Sequence, residues 1–143
     1  ALGVKNVDSG FLRLNSTDPF YEISKKYSDP TVGFSKWIPV ARSEYKRDIL
    51  NPVWAPFRID LEDLCNCDLN QIVKISLFDW ENDIIHCPVG SVETTVNNLM
   101  KSKCNRGNAD KESAIQIRKI DDDDSTEELT VAFLVVLKSD FVN

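Results

Sequence analysis

The chain has 143 residues, 42% of them hydrophobic and 28% charged, with a formal net charge of −6. That length suits one domain with a proper core and is too short for two. The acidic balance argues against broad nucleic-acid binding, which needs a basic footprint, and any attraction to an anionic membrane has to come from a local basic patch or from bound cations.

Apolar and polar residues alternate with a period of two along most of the chain, the pattern of half-buried strands. Eight strands are expected, near 1–5, 19–26, 36–46, 55–62, 71–80, 88–95, 113–120 and 129–138. The stretch from Ala1 to Val7 reads as the second half of a strand, which suggests a piece of a longer polypeptide. Turn chemistry separates the strands at Asp29-Pro30, Asn51-Pro52, Asn66 to Asn70, Asn82-Asp83, Asn105 to Asn108 and the Asp121–Asp124 run. One short helix is expected around Val96 to Lys103. Short strands at regular spacing predict an all-β, eight-stranded antiparallel Greek-key β-sandwich. If that strand count holds, loop one, the Asn51-Pro52 connection, loop three after the fifth strand and the Asp121–Asp124 run all emerge at one end.

No apolar run reaches the length of a membrane span and no stretch reads as a signal peptide, so a cytoplasmic location is expected. Nothing resembles a catalytic set. His86 is the sole histidine, the chain has five glycines, and there is no nucleophile elbow or phosphate-binding loop. Cys65 and Cys67 are too close for an easy mutual bridge, and Cys87 and Cys104 complete no framework spacing, so reduced thiols are expected.

Four segments in order carry a family resemblance. Asp18-Pro19-Phe20-Tyr21 is similar to the entry to the second strand of a C2 domain. Ser43-Glu44-Tyr45-Lys46 through Leu50-Asn51-Pro52-Val53-Trp54 resembles the segment before its fourth strand. Leu64-Cys65-Asn66-Cys67-Asp68 is similar to a copine "LCNGD" turn, with Cys67 in place of glycine. Asp79-Trp80-Glu81 through Val89-Gly90 resembles the third, metal-binding loop, with His86 on the family's histidine. The chain thus resembles the second C2 domain of a copine, one C2 domain over residues 1–143. The resemblance implies the topology in which the last strand lies beside the first (type II). It also implies a second C2 domain and a von Willebrand A-type domain elsewhere in a larger protein.

The resemblance implies a calcium site at the loop end, with lipid oxygens completing the shell. Candidate metal ligands are Asp18, Asp79, Glu81 and Asp8. The set is depleted: Leu12 stands six positions before Asp18, Asp8 fits only with a four-residue insertion, Glu81 replaces an aspartate, and Cys87 stands where the last aspartate belongs. A neutral thiol is a poor ligand for a hard cation. Calcium dependence is therefore expected to be weakened or lost. Candidate lipid-binding residues are Ile84, Ile85, Trp80, Lys46 and Arg47. Ile84 and Ile85 either insert into lipid or fold back onto the core. Lys36, Arg42, Lys46, Arg47 and Arg58 form either a basic patch or a solvated face of mixed charge. The expected function is peripheral docking on anionic phospholipid membranes. The alternative is a calcium-independent protein-interaction or scaffold domain, with protein partners in place of lipid.

Overall fold

Alternation becomes burial most plainly in the fifth predicted strand. In a computed structural model that describes residues 17–49, 51–102, 115–120, 128–134, 136 and 141, Val73, Ile75 and Leu77 are buried while Lys74, Ser76 and Phe78 face outward. Each such aliphatic side chain contributes roughly 1.5–3 kcal/mol on full burial. The described elements are β1 (Pro19–Asp29), β2 (Phe34–Arg42), α1 (Leu61–Cys65), β3 (Ile72–Trp80), β4 (His86–Thr95), α2 (Val96–Lys101), β5 (Ile115–Ile120) and β6 (Glu128–Leu134). The strands pair antiparallel in the order β2-β1-β3-β4-β5-β6.

Among the described residues the pairing between β4 and β5 narrows to one register pair, Ser91↔Arg118. Beyond it the chain turns over its own buried face. Ile117 of β5 and Ala132 of β6 share a cluster with Leu77 of β3 and Val89 of β4. A second cluster holds Ile23, Val73 and Ile75 with Leu64 and Cys65 of α1 and Val96 of α2. Val92 and Leu134 pack against both. This two-layered packing is the β-sandwich that the alternation predicts.

Six strands lie among the described residues, and one expected strand is absent. Residues 52–60 form no ladder, and Leu61–Cys65 is a helical turn. Pro52 and Pro56 have no N–H to give a ladder. Glu62 and Asp63 sit in the first turn of α1, where acidic side chains favour a helix. The alternating Ile59 and Leu61 still pack against the core, so the pattern signals burial without a strand. The expected first strand at 1–5, and with it the pairing of last strand with first, lies outside the described residues. The helix expected at 96–103 is α2, capped by the Thr95 side chain, which accepts the Asn98 N–H at 3.1 Å.

The edge strand β2 shows how a proline is accommodated. The β1–β2 register steps from Ile23↔Ala41 to Ser24↔Pro39, leaving Val40 as the extra residue of a bulge. A bulge on an edge strand tolerates a residue that cannot donate.

Candidate functional site

β1 and β3 pair Pro19 with Asp79, which fixes one end of the sheet as the place where three connections meet. These are the entry to β1, the segment 43–53 and the loop 81–85. Backbone hydrogen bonds tie them together. Lys46 N–H donates to Pro19 O at 3.1 Å, Ile49 N–H to Thr17 O at 3.1 Å, and Trp80 N–H to Asp18 O at 3.0 Å.

Asp18 and Asp79 lie side by side here, and both oxygens in question accept backbone amides. Asp79 Oδ1 takes the Asp18 N–H at 2.7 Å. Asp18 Oδ1 takes the N–H of Asp48 at 2.8 Å, where Asp48 turns the chain at φ 50. Glu81 Oε1 accepts the Cys87 thiol at 3.4 Å. Asp8 lies outside the described residues. Calcium takes six to eight oxygens, several of them from carboxylates. One oxygen each of Asp18 and Asp79 accepts a backbone amide and one oxygen of Glu81 accepts a thiol, so part of each carboxylate's accepting capacity is already committed within the protein. Among the described residues no three His, Cys, Asp or Glu side chains gather into a metal-holding group. What these carboxylates visibly do is staple loops.

Loop three is held from within. Asn82 Oδ1 accepts the N–H groups of both Ile84 and Ile85 at 2.9 Å, and Asn82 N–H reaches Ile85 O at 3.3 Å. This side-chain turn leaves Ile84 89% exposed and Ile85 56% exposed, so neither folds back onto the core. Val53 and Ile49 add further exposed apolar surface on the neighbouring segment.

Trp80 is half-buried, and its ring stacks on Tyr45 with centroids 4.4 Å apart and planes 4° from parallel. One of its faces is therefore occupied by protein. Arg47 lies over Tyr45 at 5.9 Å, and the neighbouring Tyr45 side chain raises its already high pKa. Lys46 pairs with Glu44 at 2.9 Å, which discounts its charge. The Glu44 carboxyl sits below its ordinary range because it accepts the Ala55 N–H and, secondarily, the Lys46 ammonium. Arg42 pairs with Glu22 at 2.8 Å. With Glu44 and Glu22 occupying two of its cations, the basic patch is a face of mixed charge. Trp54 is packed, its Nε1–H donating to Pro19 O at 3.3 Å.

The sequence marks Asn82 only as a turn residue, gives Tyr45 and Val53 no role beyond the family motif, and offers Asp48 only as a charge that dilutes the basic patch. The spacing of Asn82 before two isoleucines was a readable signal. The Tyr45–Trp80 stack joins residues far apart in sequence and had none.

A sequence model of the C2 domain family matches residues 5–110. The chain therefore belongs to the C2 domain family. Its fold is similar to that of a solved structure described as BON1-C2B, a copine C2 domain, with a TM-score of 0.68 and 19% identity over 90% of this chain and 76% of that one. Members of this family are phospholipid-, calcium- or protein-binding modules. Among the described residues no helix is long and apolar enough to cross a membrane.

Proposed function

We propose that this C2 domain is a non-enzymatic module of a larger copine-like cytoplasmic protein, and that it docks peripherally on anionic phospholipid membranes without requiring calcium. The observation that carries the proposal is the tip of loop three, where a polar side chain is spent on holding two isoleucines in water. Partial insertion of two isoleucines supplies a few kcal/mol at most, from roughly 1.5–3 kcal/mol per fully buried side chain. Arg47 adds an electrostatic attraction to an anionic surface. Such energies give reversible docking, in keeping with a chain whose overall charge opposes it. Calcium independence is supported by the neutral Cys87 at an expected ligand position and by the backbone amides that Oδ1 of Asp18 and Oδ1 of Asp79 already accept.

Co-sedimentation with phosphatidylcholine vesicles, with and without phosphatidylserine, in calcium or in chelator, tests this. The expected result is binding to phosphatidylserine vesicles in chelator, reduced about tenfold or more by Ile84→Asp with Ile85→Asp. Binding that appears only with calcium refutes the calcium independence. No binding to lipid under any condition leaves the scaffold reading in its place.

A further inference from the structure

The outward face of the sheet gathers aromatic rings at the loop end. Glu22 pairs with Arg42, Phe20 with Phe78 and Trp80 with His86, and steps of two along β1 and β3 put these pairs on one face. That face lies opposite Ile23, Ile75 and Leu77 of the core. Phe20 is nevertheless only 2% exposed, because its neighbours cover it. Its ring stacks on Phe78 at 5.2 Å, meets His86 edge to face at 4.9 Å and lies 5.2 Å from the Arg42 guanidinium. Beside this cluster the stacked Trp80 and Tyr45, with Glu44 and Asp83, complete a cleft of about 190 Å³. Pockets that enclose a drug-sized ligand run to about 300–1,000 Å³, so this one suits a smaller group.

The charges at the cleft carry both signs, and most are already paired. Glu22 Oε2 accepts from Arg42 Nε at 3.3 Å and from Nη2 at 2.8 Å, which leaves the Nη1 donors of that guanidinium without a bond among the described residues. Glu44 Oε1 accepts the Ala55 N–H and pairs with Lys46 at 2.9 Å. Arg47 lies over Tyr45, with Asp18 and Asp48 near its charge. Glu81 takes the Cys87 thiol. Asp83 makes no hydrogen bond or ion pair among the described residues. The His86 imidazole makes no hydrogen bond among them either, and its Nδ1 is buried. A polar ring left unbonded at a cleft wall is placed to meet a ligand oxygen.

We infer that this cleft binds a phosphocholine group. The unused donors of Arg42 and His86 flank the Phe20 ring, and the unused carboxylate of Asp83 stands on loop three near Trp80. A simple anion leaves the carboxylate unmet and a simple cation leaves the donors unmet, whereas a zwitterion satisfies both. Its phosphate meets Arg42 and His86. Its ammonium meets Asp83 and the indole ring. A primary ammonium carries three donors that need acceptors, while a trimethylammonium needs none and favours ring surface. Asp83 directly precedes the exposed Ile84, so a group bound here lies at headgroup depth when the isoleucines enter a bilayer. That a lipid supplies the group rests on the loop-end docking proposed above; the cleft's affinity for the group does not.

His86 is the sole histidine, so its imidazole NMR signals report the cleft without overlap. Wild type is expected to show saturable His86 shifts with soluble phosphocholine, at millimolar affinity. Phosphoethanolamine and inorganic phosphate are expected to bind at least about fivefold more weakly. Asp83→Asn is expected to weaken phosphocholine about fivefold or more without weakening phosphate, and Arg42→Gln to weaken both. Melting curves by circular dichroism verify that each variant is folded. The cleft proposal is overturned if phosphocholine gives no saturable shift, if phosphate or phosphoethanolamine binds as tightly, or if Asp83→Asn binds phosphocholine like wild type.

Vesicle co-sedimentation identifies the source of the group. Phosphatidylserine is held constant and the remaining lipid is phosphatidylcholine or phosphatidylethanolamine. Binding is expected to fall about threefold or more without choline, a difference that Asp83→Asn removes. Equal binding to the two vesicles overturns the lipid as the source. If phosphocholine binds in solution and neither vesicle does, the loop-end docking fails and the cleft stands. If both vesicles bind while phosphocholine gives no shift, the cleft fails and the docking stands.

Discussion

Asn82 holds two amide protons with one oxygen, and that economy sets the shape of loop three. Asn82→Ala is expected to weaken binding to phosphatidylserine vesicles several-fold, while lowering stability by only about 1 kcal/mol, the usual net worth of an exposed hydrogen bond. Co-sedimentation and thermal melting measure the two effects separately. Tyr21 makes a second residue-scale case. Burial, and after it the Glu44 charge, push its phenol from 10.0 up to about 12. The unfolded phenol loses its proton first, so this contribution is whole below about 10 and drains away as pH rises towards 12. Because the ring is only half-buried, the loss is on the order of 1 kcal/mol after solvent screening. Tyr21→Phe is expected to flatten that alkaline limb in denaturant melts, and an unchanged limb would show that another group causes it. The apolar tip of loop three was legible in the sequence because Ile84-Ile85 interrupts a polar turn. The Glu44–Tyr21 coupling was not, since it depends on where a connection of irregular backbone lays a carboxylate.

At the scale of elements, period-two alternation reported the sheet faithfully where a ladder partner exists, as in β3. It misled at 55–62, where Phe57, Ile59 and Leu61 alternate but Pro56 breaks donation and the chain coils into α1. The turn ending α1 places Asn66 and Cys67 in succession at φ 51 and 62. The resemblance to a glycine there was a backbone signal, because only glycine takes that region freely. The two neighbouring thiols are expected to differ sharply. Cys65 is buried, and burial raises its pKa; Cys67 is exposed. Iodoacetamide at neutral pH should therefore modify Cys67 in the folded protein and reach Cys65 only on unfolding, since the thiolate is the reactive species. Peptide mapping by mass spectrometry reads this directly, and equal labelling of the two would refute it.

For the molecule as a whole, charge bears on the proposed docking. The chain is acidic overall, and β5, antiparallel to β4, runs towards the loop end and finishes at Ile120. Asp121–Asp124 follow immediately in sequence and themselves lie outside the described residues. If the run lies at the loop end, as the strand count predicts, its carboxylates oppose an anionic surface over roughly 8 Å at physiological salt. Replacing all four with asparagine is expected to tighten binding to phosphatidylserine vesicles by about tenfold at low salt, an advantage that fades at high salt. Unchanged low-salt affinity would show that this run exerts no such opposition.

The narrow join between β4 and β5 also determines how the domain comes apart. Among the described residues one register pair, Ser91↔Arg118, links β4 to β5, and Leu77, Val89, Ile117 and Ala132 pack across the junction. Packing fails over a short separation, whereas a ladder must be unzipped rung by rung. Amide protons in β5 and β6 should thus exchange with solvent deuterium through partial opening, at a lower free energy than those of β1 and β3. A domain under mechanical load would then yield first at this junction. The layer of β1 and β3, with loop three at its end, would be the last to lose its shape.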